Sequence, residues 1–140
     1  MAFWDASAIV PLCCSQAATS NSRKLLRDDP RMVVWWGTPV EARSAFARLV
    51  RDGAIRDGEC VKAVRLLSQL QPSWDEIQPS ERVRAIAEDL PDRYHLRALD
   101  ALQLAAALVW CRERPSRRPF ICVDKRLSAA ARAIGFAVRT

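Results

Sequence analysis

The stretch Leu96 to Cys111, LRALDALQLAAALVWC, sets a single carboxylate, Asp100, inside a run of leucine and alanine. From Ala98 to Trp110 both faces of the helix it predicts are apolar, so that helix has to be buried between other elements rather than laid on a surface. A carboxylate embedded there needs a compensating neighbour. Ionised and alone it costs several kcal/mol, which calls for a cation, a hydrogen-bond network or a metal ion beside it. A simpler account also stands: with Leu96 and Arg97 outside the helix, Asp100 falls in the first turn, where the positive end of the helix dipole favours acids. Two further acids, Asp5 and Asp124, each close a short apolar run of strand character, and this repetition weighs against dipole effects as the whole explanation.

Strand and helix signals alternate along the rest of the chain. Ala2 to Trp4 reads as a first strand ending in Asp5, and Ser7 opens a tight turn and helix through SAIVPLCC. Capping of that helix is the plain structural role for Asp5 and Ser7. Gln16 to Arg27 predicts an amphipathic helix stopped by the turn at Asp28 to Pro30, and Met32 to Trp36 a second, buried strand broken by Gly37. Thr38, Pro39 and Glu41 then fit the N-cap, first and third positions of a capping box, a structural role for Glu41 that competes evenly with a catalytic one. That helix is expected to carry Ala42, Ala45, Phe46, Leu49 and Val50 on its apolar side. Another runs from Asp57 or Gly58 to Pro72, followed by a short strand from Trp74 to Ile77 and a helix from Ser80 that Pro91 is expected to end. After the central helix a basic, proline-broken loop returns the chain to a strand at Phe120 to Val123. A helix at Lys125 to Ile134, capped by Gly135, leads to a last strand at Phe136 to Val138.

This alternation implies a single α/β domain over residues 1–140, a three-layer α/β/α arrangement with a central, mainly parallel sheet. Such sheets gather ligands at the carboxyl ends of their strands, where Asp5 and Asp124 fall. No apolar stretch reaches membrane-spanning length and the N-terminus lacks a basic region ahead of its apolar run, so a cytoplasmic protein is expected. The five cysteines, odd in number and without CxxC spacing, read as reduced residues rather than as a disulfide or zinc framework. The net charge is +6, and nineteen of the 22 basic residues are arginine, whose two-pronged donor geometry suits phosphate. Most of these side chains nonetheless belong on solvated faces.

If the sheet brings Asp5, Asp100 and Asp124 together beside Glu41, the charges repel. Two of them about 4 Å apart oppose each other by roughly 4 kcal/mol at an effective dielectric near 20, so the group needs a counter-ion. With one histidine, His95, in a polar stretch, no nitrogen or thiolate cluster is at hand, and hard oxygen donors select Mg²⁺ or Mn²⁺. Other chemistries fail on residue count. A paired-histidine ribonuclease needs a second histidine, a serine triad lacks its base, and no GxxxxGK[ST] loop is present. A phosphoaspartyl hydrolase wants an acid two residues after the first, where this chain has Ser7.

Four segments in this order, FWDASAIVPL, TPVEARSAFARL, LRALDALQLAAAL and FICVDKRLSAAARAIGF, resemble the PIN-domain ribonucleases of the VapC toxin type over nearly the whole chain. The resemblance implies a Mg²⁺-dependent endoribonuclease, with Mn²⁺ as a substitute, that forms a homodimer and is inhibited by a small cognate antitoxin covering the site. It assigns Asp5, Asp100 and Asp124 to the metal, Glu41 to the acidic pocket and Ser7 to its support. Arg97, Lys125 and Arg126, close to the acids in sequence, are candidates for RNA phosphate contacts as well as ordinary surface charges. Two positions depart from the pattern: Gln103 stands where such sequences often carry histidine, and Cys122 where serine or threonine is common. Both bear on the surroundings of the site rather than on its carboxylates. The alternative reading is a catalytically inactive PIN-like module that binds RNA or protein.

Overall fold

The computed structural model describes residues 1–140. Its elements are β1 (Ala2–Trp4), α1 (Ala6–Cys13), α2 (Thr19–Asp28), β2 (Met32–Trp35), α3 (Thr38–Arg51), α4 (Asp57–Leu70), β3 (Trp74–Ile77), α5 (Glu81–Tyr94), α6 (Ala98–Trp110), β4 (Pro119–Ile121), α7 (Lys125–Ile134) and β5 (Ala137–Arg139), with a short 3₁₀ turn at Gln71–Ser73. The five strands form one sheet in the order β3-β2-β1-β4-β5. Every pairing is parallel, so the sheet is wholly parallel.

Both faces of the sheet are covered, and the side chains alternate accordingly. Phe3, Val33, Trp35, Phe120 and Cys122 pack with residues of α5, α6 and α7. Ala2, Trp4, Met32, Val34 and Ile121 pack with residues of α1, α3 and α4. The period-2 geometry of a strand thereby feeds two separate cores, which gives the three-layer α/β/α architecture. The chain winds outward from β1 to β2 and β3, then crosses back to lay β4 on the other side of β1 and β5 beyond it. That reversal sets the helices that follow it on the opposite face, and it opens a crevice between the carboxyl ends of β1 and β4, where such sheets bind ligands.

The structure corrects several boundaries. β2 stops at Trp35, and Trp36 is 52% exposed rather than buried in a strand. Trp35 folds its indole back over Gly37, where an added Cβ would lie 2.6 Å from Nε1, and this tight turn directs the intervening residue outward. Pro91 does not end α5, which continues to Tyr94 and closes on His95 in the left-handed conformation. Burial of Val83, Ala87 and Leu90 outweighs the one hydrogen bond that proline removes. β4 ends at Ile121, two residues short of the expected limit, and β5 is displaced by one residue. Cys13, Cys111 and Cys122 are buried, Cys14 and Cys60 half-buried, and all five are free thiols. No helix is long and apolar enough to cross a membrane.

Candidate active site

The central helix is as apolar as its sequence requires, with Ala101 and Gln103 to Leu108 buried. Asp100 itself lies at the point where α6 emerges and is only half-buried. The deeply buried carboxylate is instead Asp5, 4% exposed at the end of β1.

Asp5 caps α1 by accepting a hydrogen bond from the Ser7 amide at Oδ2, 2.9 Å away. Asp124 caps α7 in the same way, accepting from the Leu127 amide at Oδ1, 2.8 Å away. Each cap uses one carboxylate oxygen, so capping and a second role are compatible. Glu41 has no capping role. The residue before α3 is Gly37, which offers no side-chain cap, and Thr38 is buried inside the helix start. The expected capping box is absent because Thr38 turns inward to Gln103, whose Nε2 donates to Thr38 Oγ1 at 3.1 Å and to Glu41 Oε1 at 3.2 Å. Gln103 lies one helical turn beyond Asp100, so this fully buried amide ties the Glu41-bearing helix to the Asp100-bearing one.

Ser7 joins the two strand ends. Its Oγ accepts from the amides of Val123 at 3.0 Å and Asp124 at 3.1 Å, and it lies 3.6 Å from Cys122 Sγ. The thiol in turn points at Asp5 Oδ2 from 3.7 Å. Burial, then the charge of Asp5, pushes the Cys122 thiol up to about 12, so it is a neutral donor and not a nucleophile. Ser7→Ala is expected to cost about 0.5–1.5 kcal/mol, because two amides at the exposed β4–α7 turn exchange their side-chain acceptor for water. An unchanged midpoint in urea denaturation would show that those amides find other partners.

All eight residues singled out in the sequence line one open pocket of about 1110 Å³: Asp5, Ser7, Glu41, Arg97, Asp100, Asp124, Lys125 and Arg126. Sequence reasoning missed Gln16, Ser44 and Arg48, which line it too. The last two were legible in principle, since positions three and seven residues beyond Glu41 share its helix face. The acids feel one another across this space. Burial, with lesser contributions from Asp100 and Asp124, raises Asp5 to about 6 against the hydrogen bonds from Ser7. Burial and the charge of Asp5 raise Glu41 to about 8. Asp100 is raised by burial and by Asp124, while Arg97 and Arg126 pull it back.

No protein-family model matches the chain, and no curated protein matches it either. In donor type, though not in placement, the acids match a hard divalent cation, which takes oxygen ligands. The four acids supply oxygen ligands only, none is in an ion pair with a lysine, arginine or histidine, and Asp100 accepts no hydrogen bond at all. As the side chains stand, no three of them come close enough together to hold a metal ion. Asp5 is buried, Glu41 and Asp100 are half-buried and Asp124 is exposed, and the cations Arg97, Lys125 and Arg126 line the same pocket.

Proposed function

We propose that the chain is a divalent-metal-dependent endoribonuclease that hydrolyses RNA phosphodiester bonds and serves as the toxin of a toxin–antitoxin pair. One observation carries the reading: four carboxylates without a cationic partner share one open pocket with Arg97, Lys125 and Arg126. Asp5, Asp100 and Asp124 would hold Mg²⁺, with Mn²⁺ as a substitute, and Glu41 completes the acidic set. When bound, the cation polarises a phosphate and lowers the pKa of the attacking water. The chain's own groups do the rest. The caps at Asp5 and Asp124 fix two carboxylates to the ends of adjacent strands, and the Gln103 amide orients Glu41. A Glu41 carboxyl near 8 is suited to exchange a proton close to neutral pH. Arg97, Lys125 and Arg126 contact the phosphates of the strand. The expected partners are the RNA substrate, a small antitoxin that covers the pocket and a second copy of the chain.

A second reading is a PIN-like module that binds RNA or protein without turnover, which the cations Arg97, Lys125 and Arg126 beside the pocket would serve equally well. Incubation of labelled RNA with Mg²⁺, Mn²⁺ or EDTA separates the two. The expected result is cleavage with either ion and none in EDTA, together with growth arrest on expression that a neighbouring small gene relieves. Folded protein that gains melting temperature from the ions yet leaves RNA intact would overturn the nuclease and leave the binding module.

A further inference from the structure

The helix α3 turns one continuous stripe to the pocket, made of Glu41, Ser44, Ala45, Arg48 and Leu49, the three-and-four spacing of a single helix face. Arg48 is exposed on this stripe, two turns beyond Glu41. It forms no ion pair, although Asp52 lies four residues on, at the helix end. The other cations of the pocket belong to the opposite helical layer: Arg97 precedes α6, and Lys125 and Arg126 begin α7. The acids therefore share the pocket with cations from both helical layers. A single anion bound over the acids would be served by the cations of one layer, and the pocket, at about 1110 Å³, is at the upper end of the roughly 300–1,000 Å³ usual for a small ligand.

We propose that Arg48, with Ser44 and Gln16 as further hydrogen-bonding groups, forms a phosphate-binding subsite for the nucleotide next to the scissile bond, on the helical layer opposite that of Arg97, Lys125 and Arg126. The subsite rests on the ribonuclease reading for its substrate. Its competitor is a purely structural role, because a cation in the last turns of a helix complements the dipole. Arg51 supplies the control: it is in the last turn of the same helix and is not among the pocket residues.

The test is anisotropy of a labelled single-stranded RNA across a salt series, with Ca²⁺ in place of Mg²⁺. Removing a cation that neutralises one phosphate of a single strand makes the slope of log K against log salt shallower by about 0.7. Arg48→Ala is expected to show that reduction and weaker binding at every salt concentration, Arg48→Lys to keep the parental slope, and Arg51→Ala to match the parent. Equal slopes for Arg48→Ala and Arg51→Ala, or a parent that binds no RNA, would overturn the subsite. Cleavage by the parent with Mg²⁺ is scored separately. An Arg48-dependent slope in a parent that never cleaves keeps Arg48 as an RNA-phosphate contact but removes the nuclease and its scissile bond, and a cleaving parent indifferent to Arg48 keeps the nuclease and removes the subsite.

Discussion

Asp100→Asn is expected to lower metal-dependent RNA cleavage by at least about a hundredfold while the protein melts in EDTA no lower than the parent. The expectation follows from what surrounds the side chain. Asp100 accepts no hydrogen bond and has no ion-pair partner, and its carboxyl is raised by burial and by the charge of Asp124. Ionised, it is a cost to the fold. An amide of the same shape removes that cost, whereas orphaning one half of a buried ion pair would lose about 3–5 kcal/mol. A ligand to the cation is worth at least as much as the outer groups that orient ligands, whose loss typically costs about 10- to 100-fold. Stability and activity should therefore part. Cleavage within a few-fold of the parent would remove Asp100 from the site, and a large loss of metal-free stability would give it a structural role.

Asp5 and Asp124 call for the opposite caution. Both cap helices through one oxygen, so removing the whole side chain would confuse a folding defect with a catalytic one. Asparagine retains the capping oxygen, which makes it the informative replacement at these two positions as well.

The alternation of the two cores was legible because short apolar strands and helix starts declare themselves locally. The convergence of Asp5, Asp100 and Asp124 was legible for a related reason: in a parallel sheet the carboxyl ends of strands and the first turns of the following helices all face one rim. What stayed hidden depended on partners distant in sequence. Thr38 and Glu41 fit a capping box on spacing alone, yet Thr38 is taken by Gln103, 65 residues away. Trp36 continued an apolar run whose end is set by the indole of Trp35 over Gly37. Pro91 obeyed the packing of its helix rather than its own backbone preference. Gln103 was visible only as a departure from a pattern. In the fold it is the amide that joins two acid-bearing helices, a role that a histidine in its place would fill with a different donor geometry.

The metal-free protein should lose stability as pH rises from about 5.5 to about 8, and Mg²⁺ should flatten that decline. Burial and mutual repulsion raise Asp5 from 3.8 to about 6 and Glu41 from 4.5 to about 8. Between the unfolded and folded values the folded chain binds more protons than the unfolded one, so the unfolding free energy falls with pH. The contribution of each group is most favourable below its unfolded value and is lost as pH climbs through its folded value. That places the window for Asp5 between 3.8 and about 6, and for Glu41 between 4.5 and about 8. Asp29, which is held low by the N-terminal amine, acts in the opposite sense but below this range. At about 1.4 kcal/mol per pKa unit, the whole Asp5 shift is worth on the order of 3 kcal/mol, of which about 1 kcal/mol is lost above pH 5.5. Glu41 adds an amount of similar order after its partial exposure is discounted. For a chain of this size, a few kcal/mol corresponds to a melting temperature lower by roughly 10 °C at about pH 8 than at about pH 5.5 in EDTA. A cation that binds the ionised acids of the folded state stabilises most where they are ionised, so its effect should grow with pH and close the gap. Melting curves across this range, with EDTA and with Mg²⁺, check both parts. A profile in EDTA that is flat or rises toward pH 8 would show that Asp5 and Glu41 are not held up by burial and by each other's charge, and the electrostatic argument for a cation beside them would go with it.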